Sequence, residues 1–247
     1  MRDYLPELVA LPLLPLLLAQ GRRTRRITPR LPEAPGATDG IAGRHFNAAP
    51  LRMLAFGESP VAGVGVQSHE EAITGCLAQA LAARLRRPVH WEARGQNGAT
   101  VRDAMGSLLP HVAAQPQDLV LVAFGVNDTT AFRSAGQWRQ DVRDLLDALE
   151  ARCAPRLMLV SGVPPMGRFP ALPQPLRAVM GLKSASLDRV LRALVRTRAN
   201  TLHVPLPSGL DGPGLMAHDG YHSSAAGCSA WAAVLADSCA AAFGHSD

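Results

Sequence analysis

The sequence predicts a doubly wound α/β/α sandwich: three layers around a mostly parallel, five-stranded sheet. Three observations carry that prediction. From residue 51 onward, short apolar runs alternate with longer amphipathic ones. The short runs are near-continuously apolar, as strands covered by helices on both faces must be. The long runs repeat apolar residues at helical spacing, as in Leu77, Leu81 and Leu85. Five strand–helix units in succession call for parallel pairing with crossover helices.

The strands are expected at 51–56, 89–93, 119–124 (Leu-Val-Leu-Val-Ala-Phe), 157–161 (Leu-Met-Leu-Val-Ser) and 201–204. The helices are expected over 69–86, 100–113, 136–152, 183–198 and 224–242. Glu70 and Glu71 read as the solvated start of the first of these, where carboxylates suit the helix dipole. No internal repeat is visible. Residues 51–243 are therefore read as one folded domain, 31–50 as a Pro/Gly-rich linker, and 1–30 as a separate N-terminal segment.

Composition narrows the function classes. The 247 residues are 47% hydrophobic and 18% charged, which describes a chain with a real core. The net charge of +5 is concentrated at the start. Arg2, Arg22, Arg23, Arg25, Arg26 and Arg30 against Asp3 and Glu7 leave that segment at +4 and the rest near neutral at +1. A nucleic-acid-binding domain would carry its basic patch on the folded body and more aromatic platforms than the 4% found here, so nucleic acid is set aside as a partner. Cys76, Cys153, Cys228 and Cys239 are dispersed, with no C-x-x-C and no Cys/His spacing. They read as buried small hydrophobes, and neither a disulfide framework nor a metal site is expected.

Residues 8–19, Leu-Val-Ala-Leu-Pro-Leu-Leu-Pro-Leu-Leu-Leu-Ala, are uncharged and apolar. The run falls short of the ~20 residues that span a bilayer, even before Pro12 and Pro15 interrupt it. The basic cluster follows the run rather than preceding it, which is the wrong order for a secretory signal and resists export. Residues 4–26 are therefore read as a membrane-surface segment on the cytoplasmic side, with its arginines against anionic headgroups. An uncleaved or atypical signal is the rival reading.

In doubly wound sheets, ligands bind beyond the carboxyl ends of the strands, and the chemically suggestive residues sit there. Ser59 follows the first strand, Gly98 the second and Asn127 the third, while Asp219 and His222 lie in the loop before the last helix. A serine hydroxyl becomes a nucleophile when an imidazole takes its proton. A carboxylate holds that imidazole in the right tautomer, and backbone N–H groups with an amide can stabilise an oxyanion. Taken singly, each has a plainer reading. Ser59 is a loop serine, Gly98 a positive-φ turn, Gly-x-Asn-Asp a turn, and Asp219 a cap for the helix near Ser224. Their joint occurrence, in order and at strand ends, is what favours chemistry. Among the histidines, His218 adjoins Asp219, but the D-x-x-H spacing favours His222. No G-x-S-x-G elbow, phosphate-binding loop or H-E-x-x-H zinc motif occurs.

These four blocks resemble those of the SGNH (GDSL-type) hydrolases. Gly57-Glu58-Ser59 resembles G-D-S, Gly98 falls where the second-block glycine stands, Gly125-Val-Asn127-Asp128 matches G-x-N-D, and Asp219-Gly-Tyr-His222 matches D-x-x-H. The resemblance covers about residues 51–243. It implies a flavodoxin-like strand arrangement, Ser59 as nucleophile, His222 as base and Asp219 as its orienter. It also implies an oxyanion hole from the Ser59 and Gly98 N–H groups and the Asn127 side chain, with no cofactor and no metal. Glu58 in place of Asp, and Pro60 in place of an apolar residue, depart from the family pattern. The implied activity is serine ester hydrolysis through an acyl-enzyme. Met166, Phe169, Leu172 and Leu176, in the long segment after the fourth strand, are the candidates for an acyl pocket or lid. With the apolar N-terminus they favour a lipid or medium-chain ester. Carbohydrate O-deacetylation, acyl transfer and a catalytically silent binding module remain as alternatives.

Overall fold

The computed structural model describes residues 5–243. Its sheet has six strands: β1 (Asp39–Ala42), β2 (Leu51–Gly57), β3 (Val89–Gly95), β4 (Leu119–Ala123), β5 (Leu157–Ser161) and β6 (Thr201–Val204). Their order is β1-β3-β2-β4-β5-β6. The five expected strands are all present and mutually parallel. The sixth, β1, pairs antiparallel with β3 and extends the sheet beyond the expected five. It comes from the stretch read as linker. Four residues containing two hydrophobes carry too little periodicity to stand out, and the unpaired edge of β3 supplies the template.

The helices are α1 (Leu5–Ile27), α2 (Ile73–Leu85), α3 (Val101–Ser107), α4 (Val126–Thr130), α5 (Ala135–Cys153), α6 (Leu176–Val195) and α7 (Ala225–Phe243). Side-chain alternation along the strands divides the core in two. Met53, Ala55, Leu119, Leu121 and Leu159 face α2 and α7. Leu54, Phe56, Val120, Val122, Met158 and Val160 face the α3, α5 and α6 layer. Trp138 of α5, 1% exposed, is pinned there by its indole N–H donating to Leu187 O of α6 at 3.0 Å. Burying each such side chain contributes roughly 1.5–3 kcal/mol.

The helix expected over 100–113 stops at Ser107, where a 3₁₀ turn (Leu109–His111) containing Pro110 follows, and three further differences concern α2, α6 and α4. The α2 helix begins at Ile73, because Ser68–Glu71 forms a turn in which Glu71 accepts from Gln67 N–H at 3.1 Å. Glu70 and Glu71 therefore precede the helix rather than open it. The α6 helix begins at Leu176, seven residues early, because its first N–H groups find acceptors outside the helix. The Gln20 side chain accepts from Leu176 N–H at 3.1 Å, and the Gln174 side chain from Ala178 N–H at 3.2 Å. The third difference is α4, a single turn where a loop was expected, and it carries Asn127.

The N-terminal segment is a continuous 23-residue helix through Pro12 and Pro15. Both prolines lie on its exposed side, so the Leu8 and Leu11 carbonyls they leave unpaired face outward. No helix among the described residues is long and apolar enough to cross a membrane. Tyr4, the first residue of the proposed membrane segment, lies outside the described residues. Rather than trailing from the domain, α1 packs along α6. Pro6, Ala10, Leu17 and Thr24 form its buried stripe. Its Glu7 bonds the fully buried Lys183 of α6, whose ammonium also sits 4.8 Å from the centre of the Phe132 ring.

Candidate active site

The site forms at the carboxyl edge where the chain turns from β2 to β3 on one side and to β4 on the other. Such a switch point opens a crevice between diverging loops. Strand register brings the blocks together. Gly57 is opposite both Gly95 of β3 and Ala123 of β4, so Ser59, Gly98 and Asn127 all follow within four residues of one row across the sheet. The row is closely packed. A Cβ on Gly95 would lie 2.3 Å from Ala62 N, so only glycine lets the loop carrying Ser59 fold back against β3. Gly98 holds φ at +81°, with open space where a side chain would be. The N–H groups of Ser59 and Gly98 have no hydrogen-bond partner among the described residues.

The carboxylate and the imidazole come from the β6–α7 loop. Asp219 Oδ2 lies 2.6 Å from His222 Nδ1, while Oδ1 accepts from Tyr221 N–H at 2.9 Å and His222 N–H at 3.0 Å. Burial works to raise the Asp219 pKa. The bonds from the His222 ring, His222 N–H and Tyr221 N–H outweigh it and hold the carboxyl below its ordinary range. Asp219 therefore stays ionised at neutral pH and favours the His222 tautomer with its proton on Nδ1, which leaves the Nε2 lone pair able to accept a proton. His218 is exposed; it is His222 that bonds Asp219. The two loops meet at Gly65, where a Cβ would lie 2.7 Å from Ser223 O and 3.3 Å from His222 Cβ.

Ser59 and His222 line the same pocket. No direct bond joins their side chains among the described residues. Such bonds commonly tighten only once substrate is bound.

Glu58 has a defined task. Its carboxylate, 2% exposed, spans from the end of β2 to the start of α4. It accepts from Val126 N–H at 2.8 Å, Asn127 N–H at 3.0 Å and the Asn127 amide at 2.5 Å. Its longer arm thus caps a helix whose own N-cap, Gly125, has no side chain to offer. Burial pushes the Glu58 pKa up to about 8, with the Asn127 and Val126 backbone bonds pulling the other way. The neighbouring Asp128 is pushed up to about 7 by burial, while the N–H of Val101, at the start of α3, donates to it at 3.2 Å. The Asn127 amide also donates to Ala99 O at 3.1 Å. Donation to an oxyanion would therefore share the hydrogen of this longer bond.

The pocket wall is largely apolar: Pro60, Val126, Pro164, Phe169, Leu206, Leu210, Met216 and Trp231, with Tyr221 beside His222. Of the four residues expected to line it, only Phe169 does. Met166, Leu172 and Leu176 are buried with α1 and α6 in a cluster behind that wall. The segment they belong to is a compact 3₁₀ turn (Met166–Arg168) leading into α6, not an open lid. The other wall, 206–216, had no motif to mark it. Its position after β6 was the available signal, because loops after parallel strands share one edge. Tyr221 is signalled only by its place inside Asp219–His222. It stacks edge-on to Phe169 at 5.1 Å, and burial pushes its phenol pKa up, so it stays protonated. All four cysteines are free. No cluster of three or more His, Cys, Asp or Glu side chains suited to a metal occurs among the described residues.

With this geometry in place, the profile of the GDSL-like lipase/acylhydrolase family matches residues 55–230. The chain belongs to the GDSL-like lipase/acylhydrolase family. The GDSL-like esterase Rv1075c of Mycobacterium tuberculosis is 29% identical over 204 residues, covering 78% of this chain. The chain spans 63% of that relative's length. Among solved structures, the extracellular lipase of Streptomyces rimosus superposes with a TM-score of 0.56 at 18% identity, covering 76% of this chain and 99% of the lipase. A carbohydrate esterase family 2 enzyme with a carbohydrate-binding domain, from Corynascus thermopiles (Myceliophthora fergusii), gives 0.59 at 18% identity, covering 80% and 69%. At these identities the structural matches establish the fold alone.

Proposed function

We propose that the protein is a serine esterase that cleaves carboxylic esters through an acyl-enzyme, with medium-chain or lipid acyl groups as its preferred substrates. The observation that carries this reading is that His222, bonded to Asp219, lines the same pocket as Ser59. In the proposed reaction, His222 Nε2 takes the Ser59 proton as Oγ attacks the ester carbonyl. The oxyanion is held by the Ser59 and Gly98 N–H groups and the Asn127 amide. His222 then returns the proton to the leaving alcohol, and water repeats the sequence on the acyl-enzyme. The apolar wall of Phe169, Leu206, Leu210, Met216 and Trp231 suits an alkyl chain better than a sugar.

The carbohydrate esterase among the structural relatives keeps deacetylation as the second reading. A p-nitrophenyl ester series from acetyl to palmitoyl separates the two. A rate maximum above butyryl, abolished in Ser59→Ala, is the expected result. A maximum at acetyl would favour the carbohydrate reading. A wild-type protein that neither turns over any member nor labels with a fluorophosphonate at Ser59 would remove catalysis altogether and leave a binding module.

A further inference from the structure

We propose that α1 is an in-plane docking helix for an anionic lipid surface, held rigidly against the domain so that the catalytic pocket is carried at a set distance from the bilayer. The helix has two faces of opposite character. The inner stripe, Pro6, Ala10, Leu17 and Thr24, is used up in packing on α6. The outer one is not: Leu8, Leu11 and Leu18 are 64%, 70% and 50% exposed, with Leu5, Leu14 and Leu16 beside them. These leucines make up most of the exposed large hydrophobics on the described chain, and they are gathered on one element. Exposed Arg22, Arg23, Arg25 and Arg26 follow directly, on a body otherwise close to neutral.

An apolar face continued by a run of arginines complements an acyl-chain boundary flanked by anionic headgroups. The prolines decide between lying on the bilayer and crossing it. Pro12 and Pro15 leave the Leu8 and Leu11 carbonyls without helical partners on the outer side. At headgroup depth those carbonyls stay hydrated, whereas in hydrocarbon they would have nothing to bond. The inner face fixes the geometry. It packs in one cluster with Met166, Leu172, Leu176 and Phe169, and Phe169 also lines the catalytic pocket. The surface that would meet lipid is thus separated from the pocket by the width of α1 and the side-chain cluster beneath it.

The test is co-sedimentation of the full chain with vesicles of phosphatidylcholine containing 30 mole per cent phosphatidylglycerol, or of phosphatidylcholine alone. Thermal unfolding serves as the fold control, so the outcome does not depend on ester hydrolysis. Wild type should bind the anionic vesicles at least tenfold better than neutral ones, and the difference should shrink with salt. The triple variant Leu8→Gln, Leu11→Gln, Leu18→Gln should lose binding to both. Arg22→Gln, Arg23→Gln, Arg26→Gln should reduce binding to the anionic vesicles to the neutral level. Equal binding of wild type to both vesicles, or unchanged binding by the leucine variant with its fold intact, would overturn the proposal. So would a wild type that ignores vesicles and is a dimer by light scattering while the leucine variant is a monomer, since the face would then join two copies.

Discussion

The residue with most riding on it is Glu58, where the sequence departs from its family. Its carboxylate offers two oxygens to three donors, and two of those donors belong to Asn127. The amide proposed for the oxyanion hole is therefore held by the residue next to Ser59, the proposed nucleophile. Glu58→Gln should uncouple this arrangement. One oxygen becomes an NH₂ group, which, unlike a carboxyl oxygen in either protonation state, cannot accept from the donor it faces, at a cost of about 1–3 kcal/mol for the stranded polar group. If that cost falls on the placement of Asn127, kcat should drop by on the order of tenfold or more with KM little changed. Steady-state kinetics on a soluble ester checks it, and an unaltered kcat would remove Glu58 from the positioning role. Asp219→Asn should be more severe, on the order of 10³–10⁴ in kcat, because the amide no longer selects the His222 tautomer that bares Nε2; the reference for that size is the serine protease triad.

At the scale of elements, α1 is the piece whose place could not be read locally. Its apolar residues were legible, but an apolar run says only that something must cover it. The covering element, α6, is about 150 residues distant and holds it through the Glu7–Lys183 pair and the Gln20 bonds. The early start of α6 has in part the same origin: Leu176 N–H is satisfied by a side chain of α1, and the N-cap residue Pro175 makes no side-chain cap bond that would mark it. Lys183 is 1% exposed at its side chain and Glu7 32%. Glu7→Ala should therefore destabilise by about 3 kcal/mol, the low end for breaking a buried pair, because one partner keeps contact with water. Urea denaturation measures this. Adding Lys183→Met to Glu7→Ala should recover most of the loss, since the stranded charge then disappears.

For the whole molecule, the buried carboxyls dictate how stability responds to pH. Glu58 and Asp128 have folded pKa values of about 8 and about 7, above their ordinary 4.5 and 3.8. Between those limits the folded chain holds more protons than the unfolded one, so stability falls as pH rises from about 4.5 toward 8. Asp188 and Asp219 are depressed, and their contribution is lost as pH falls below the usual Asp range. The denaturant midpoint should peak on the acid side of neutrality and decline toward pH 8. The decline should be shallower in Glu58→Gln, which removes one of the two groups. A midpoint flat from pH 5 to 8 would contradict the assigned protonation of Glu58 and Asp128.

The sequence by itself determined the five parallel strands, their order along the chain and four chemical blocks at their ends. These are local properties: apolar runs of strand length, glycines where backbones approach closely, and a D-x-x-H spacing short enough for Asp219 and His222 to meet within one loop. The tertiary structure decided what depends on distant partners. It paired Asp39–Ala42 with an open sheet edge and put Glu58 on the start of α4. It buried Met166, Leu172 and Leu176 under α1, and built the second pocket wall from the 206–216 loop. In each case the deciding contact joins residues far apart in sequence. Local pattern records which groups must be satisfied; only the folded chain records by whom.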